Sequence, residues 1–151
     1  MLKRKKKYEG MSFEKLAHII NGYLLEEGLI LNLTGYRNIL QRYFRVQDNH
    51  LSDIYEVMID CNLWFNYLAD IQSLVSLKKE EWTLEAEYLY ATEILAAPSE
   101  SLENRIQAAK ERAKHYSIFE KHIESQKKFF MKASHACQVL FQNGLASMRR
   151  S

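Results

Sequence analysis

The chain has 151 residues, enough for a domain whose core needs no disulfide or metal staple. Its 47% hydrophobic and 26% charged residues are ordinary for a soluble globular protein, and its net charge is only +2. Five Gly and one Pro are too few to punctuate sheets or turn-rich folds, so the expected class is all-α.

Residues 1–10 read as a basic flexible tail. Its run Lys3, Arg4, Lys5, Lys6, Lys7 resembles the start of a signal peptide, but Tyr8, Glu9 and Gly10 follow where an apolar segment would be needed. No apolar run approaches the eighteen residues that span a bilayer. Cys61 and Cys137 form no metal spacing, and together these features point to a reduced, cytoplasmic chain. A translation start at Met11 would remove the tail.

Residues 11–50 are expected to form a small helical subdomain. Ser12 suits an N-cap, with Phe13, Leu16, Ile19, Ile20, Tyr23 and Leu24 on one face and Gly28 as the stop. After an apolar connection, a second helix follows Thr34 with Tyr36, Ile39, Leu40, Tyr43 and Phe44 as its buried stripe. Arg37, Gln41 and Arg45 lie on its other face, as in a helix-turn-helix reader. The connection from Gly28 to Thr34 is longer than that motif uses, so a subdomain packed on the rest is the simpler reading.

Residues 51–151 are expected to form one long antiparallel hairpin. From Ser52, the residues Ile54, Val57, Cys61, Trp64, Leu68, Ile71, Val75, Trp82, Ala86 and Leu89 recur in three-and-four steps until Pro98. Such a helix would be about 67 Å long. Ser99 or Ser101 caps the next arm, whose stripe is Leu102, Ile106, Ala109, Ala113, Tyr116, Ile123, Phe130, Cys137 and Phe141, with no Gly before Gly144. So short a joint forces the arms to run antiparallel. Folding about residue 99 sets Cys61 and Cys137 level, each 38 residues from the turn. Two small core residues facing each other is the expected reading, and a cross-hairpin disulfide would need Cα atoms within about 7 Å.

Charge is divided unevenly. Residues 1–47 carry nine bases and four acids, 48–100 two and eleven, and 101–151 ten and four, giving +5, −9 and +6. The hairpin arms are thus oppositely charged, which favours pairing within a chain or between subunits. Lys3 to Lys7, and with them Lys127, Lys128, Lys132, Arg149 and Arg150, have no obvious local counter-charge. Such runs bind phosphate backbones by releasing counterions, meet anionic lipid, or keep a chain in solution. The sequence leaves all three open.

Chemistry is poorly represented. No Glu is followed by His three residues later, as a di-iron bundle requires, and the histidines at 18, 50, 115, 122 and 135 are scattered. There is no Gly-rich phosphate loop and no Gly-x-Ser-x-Gly elbow. His135 and Cys137 are two residues apart and point in different directions on a helix. The expectation is no enzyme, no catalytic residue, no metal and no cofactor.

Residues 52–151 resemble the small helical phage recombination mediators of the UvsY type. The likeness rests on the aromatic segment Leu63-Trp-Phe-Asn-Tyr-Leu68, the charged stretch Lys78-Lys-Glu-Glu81 and the aromatic pair of Tyr88-Leu-Tyr90. It extends to a final helix that contains Cys137 and Leu140 and ends near Asn143-Gly144, with Arg149-Arg150. It covers about 100 residues. The first fifty have no counterpart, and the aromatic residue usual after the terminal arginine is absent. The resemblance implies a homo-oligomer that binds single-stranded DNA and works beside a recombinase or a single-strand binding protein. The competing expectation is a helical adaptor or inhibitor that binds only protein.

Overall fold

The computed structural model describes residues 2–26, 31–46, 49–95 and 99–150, apart from the side chains of 2–12 and 94. The fold is all-α: α1 spans Leu2–Glu26, α2 Leu33–Phe44, α3 Leu51–Leu95 and α4 Glu100–Arg150. Helices α3 and α4 pack against each other as the two arms of the expected hairpin, and no strand occurs among the described residues.

Local chemistry explains most of the ends. Ser99 caps α4: its Oγ accepts from the Leu102 N–H at 3.1 Å and its carbonyl from Glu103 at 3.0 Å. The cap of α2 is Asn32, two residues ahead of the expected Thr34, with Oδ1 accepting from the Gly35 N–H at 2.9 Å. A side chain at Gly35 would meet both Asn32 Nδ2 and Trp64 Cζ2 at 2.7 Å, so glycine lets the cap and the indole close on α2. The His50 carbonyl accepts from Asp53 and Ile54, starting α3 at Leu51. Gly28 and Pro98 lie outside the described residues.

Two ends differ from expectation. Helix α1 begins at Leu2, so Ser12 is not its cap and residues 2–10 are helical where a flexible tail was expected. Leu, Lys and Arg are good helix formers, and the cost of about 1 kcal/mol at one interior glycine, Gly10, does not stop the helix. Helix α4 also runs on through Gly144, which sits where a Cβ would collide with the side chain of Leu51.

The chain divides into two compact units, each using part of both long helices. Unit 1 joins residues 1–30 with 71–122, and unit 2 joins 31–70 with 123–151. In unit 1, Phe13, Ala17, Ile20 and Leu24 of α1 are buried with Val75, Ala86 and Leu89 of α3 and Ile106, Tyr116 and Phe119 of α4. Ile19, expected in this stripe, is exposed, and Ala17 takes the inward position.

Arg112 closes one end of unit 1. Its guanidinium lies 4.4 Å from the centroids of both Tyr23 and Trp82, donates to the Tyr23 carbonyl, and pairs with Glu26. Tyr23 also shares a 2.8 Å hydrogen bond with His115 Nδ1. In unit 2, the Tyr36 hydroxyl donates to buried Gln126 Oε1 at 2.6 Å, and its ring packs edge-on against Trp64 and Phe130.

Facing residues of unit 2, such as Tyr55 with Phe141 and Trp64 with Phe130, lie equidistant from about residue 97 or 98. The register is therefore shifted from residue 99. Cys61 and Cys137 remain neighbours in this core, with Cys137 acting electrostatically on Cys61. Both thiols are free and fully buried.

Candidate functional site

In unit 2, α2 supplies Tyr36 and Ile39 to the core, which turns Arg37, Gln41, Phe44 and Arg45 outward. Phe44 was expected to be buried but is 71% exposed. It sits in the last turn of α2, about 100° around the helix from the inward face shared by Tyr36, Ile39 and half-buried Tyr43. Its ring rests on Tyr43 at 5.6 Å and on Phe129 of α4 at 6.4 Å, and Tyr43 meets Phe129 edge-on at 5.6 Å. The three rings make a partly exposed aromatic cluster.

Basic residues surround this cluster in sequence. Lys128 and Lys132 are exposed, one turn apart on α4, and flank Phe129. His135 and Val139 continue their face, both exposed. Arg45 directly follows Phe44. Residues 33–45 and 125–150 together carry eight Lys or Arg and no acid.

The remaining sequence-derived candidates scatter. Lys127 is half-buried, 5.4 Å above the Phe65 ring and 3.6 Å from Glu124, so it is committed to packing. Arg149 and Arg150 are exposed in the last turn of α4, about 26 Å along the helix from Lys132. Lys3, Arg4, Lys5, Lys6 and Lys7 belong to the first turns of α1, in unit 1, and their side chains lie outside the described residues. Of the five candidates in unit 2, Lys128 and Lys132 stand beside the aromatic cluster. Phe44 and Arg45 are added by the structure.

Three ionisable groups of unit 2 are shifted toward their neutral forms. Burial, and then the neighbouring Cys137, push the Cys61 thiol up to about 12, and burial raises Cys137. Burial also raises Tyr43. A thiol so protonated is a poor nucleophile. Among the described residues, no group of three or more His, Cys, Asp or Glu could hold a metal ion. None of the described helices is long and apolar enough to cross a membrane.

A second surface was missed in the sequence. On α3 of unit 1, Leu77, Leu84, Tyr88 and Leu95 are 51%, 63%, 69% and 90% exposed. Their spacing of seven, four and seven was visible but out of phase with the core stripe. Compared with protein-family models, with curated proteins and with solved structures, the chain shows no match.

Proposed function

We propose that the chain is a non-enzymatic, oligomeric accessory protein that binds single-stranded DNA through the α2–α4 face of unit 2. The observation that carries this reading is the solvent-facing Phe44 ring with the exposed bases Arg45, Lys128 and Lys132 close to it in the aromatic cluster's segments. Residues 33–45 and 125–150 carry eight bases and no acid, of which Arg42 pairs with Asp60 and Lys127 lies by Glu124, and Phe44 is 71% exposed. Lysines and arginines track phosphates by counterion release, while an exposed ring offers a stacking platform to any base. Such binding is independent of sequence. Oligomerisation multiplies weak contacts along one strand, and work beside a recombinase or single-strand binding protein follows from the family resemblance.

The test is fluorescence anisotropy with labelled oligothymidylate at low and moderate salt. Binding that weakens steeply with salt, and falls at least tenfold in Lys128→Glu/Lys132→Glu, supports the reading. An absence of binding at low salt would remove it.

A further inference from the structure

The exposed apolar line on α3 of unit 1 is separate from the nucleic-acid reading and does not depend on it. Leu77, Leu84, Tyr88 and Leu95 return to one side of the helix because steps of seven and four nearly complete whole turns. The line is about 27 Å long. The same helix buries Val75, Ala86 and Leu89 in unit 1, so α3 has two apolar faces and only one is used by the unit's own core.

The charge around the line defines what fits it. From Glu80 to Asn104 the chain carries seven acids and no Lys or Arg. Glu80, Glu81 and Glu87 are exposed alongside Leu84 and Tyr88. The bases of α3 itself are engaged, Lys78 with Glu81 at 3.1 Å and Lys79 with Glu120 at 3.5 Å. Lys110 of α4 lines a shallow pocket with Glu87 on the side toward α4. A second copy of this face would set acids against acids, which is unfavourable for helices packed side by side.

We infer that the outer face of α3 around Leu77–Leu95 is a docking surface for a basic amphipathic helix of a partner protein. The partner's leucine-like residues would cover Leu84 and Tyr88, and its Lys or Arg would meet the flanking glutamates. This is the helix-on-helix mode of recognition, in which apolar anchors give affinity and flanking charges set the partner.

The experiment uses the full chain and two labelled probe peptides of about 20 residues, one built of Leu and Lys in heptads, the other with Glu in place of Lys. Anisotropy should show binding of the Lys peptide at least tenfold tighter than of the Glu peptide, weakened by salt. Leu84→Gln/Tyr88→Gln should lose tenfold or more of that affinity. Both positions are exposed, so an unchanged thermal midpoint checks that the fold persists. Glu80→Lys/Glu87→Lys should reverse the preference toward the Glu peptide. Equal affinity for the two peptides, or unchanged affinity in Leu84→Gln/Tyr88→Gln, would overturn the assignment. So would light scattering showing a self-associated chain that the same double substitution dissociates, since the face would then belong to a second copy.

Discussion

Two buried thiols in one hairpin invite a redox role, and their surroundings argue against it. Cys61 and Cys137 are free and fully buried, with neither thiol open to solvent. Neither thiol should react with Ellman's reagent in the native protein; both should react in guanidinium. Rapid native labelling would contradict their burial. The raised ionisations also fix the sign of the pH dependence. Cys61 ionises near 12 in the folded chain instead of near 9, and Cys137, Tyr23 and Tyr43 shift the same way. Their contribution to stability is complete below the unfolded values and is lost as pH rises through the folded ones. The thermal midpoint should therefore fall between about pH 9 and 12, and the fall should be shallower in Cys61→Ala/Cys137→Ala.

Arg112 is the other residue that decides local stability. Its side chain is 16% exposed and sits against two aromatic rings while holding the end of α1. Replacement by Met keeps much of the packing but loses the cation–π contacts and the bond to the Tyr23 carbonyl. A loss of about 1–3 kcal/mol in denaturant unfolding is expected, with Lys recovering only part because it lacks the planar fork.

Helices were the legible elements. The scarcity of Gly and Pro and the three-and-four stripes located α3 and α4 and left the cap of α4 between Ser99 and Ser101, and every residue expected in the two hairpin stripes is buried or half-buried. Ser99→Ala should accordingly cost about 1 kcal/mol, read as a lower denaturation midpoint. What periodicity does not reveal is which apolar face finds a cover. Phe44 adjoins the inward stripe of Tyr36, Ile39 and Tyr43 in sequence but lies about 100° around the helix from it, so it faces outward although Val46 beyond it is buried. Leu84 and Tyr88 are apolar and regularly spaced, yet face outward. The start of α1 was missed for a different reason: a glycine and a basic run look like a loop, while their intrinsic helical cost is small. Phe44→Ala separates packing from function at this scale. Because the ring is mostly exposed, the thermal midpoint should barely move, while oligothymidylate affinity should fall by about 1–3 kcal/mol if a base stacks there.

At the scale of the molecule, net charge hides the feature that matters. Counted by unit, unit 1 carries thirteen bases and thirteen acids, and unit 2 carries eight and six. All eight of the latter bases fall in residues 33–45 and 125–150, which contain no acid. A protein that bound polyanions through overall charge would have little to offer at +2. One that binds through a segregated face keeps its affinity but shows a salt slope set by the few phosphates that face contacts. For single strands, the logarithm of affinity should fall with the logarithm of salt by about 0.7 per phosphate neutralised. Replacing Lys128 and Lys132 with Gln should then lower the slope by about 1.4. Replacing Lys110 and Lys114, exposed bases of unit 1, should leave it unchanged. Equal reductions from both pairs would mean that binding follows general charge, and the α2–α4 face would lose its claim to the interaction.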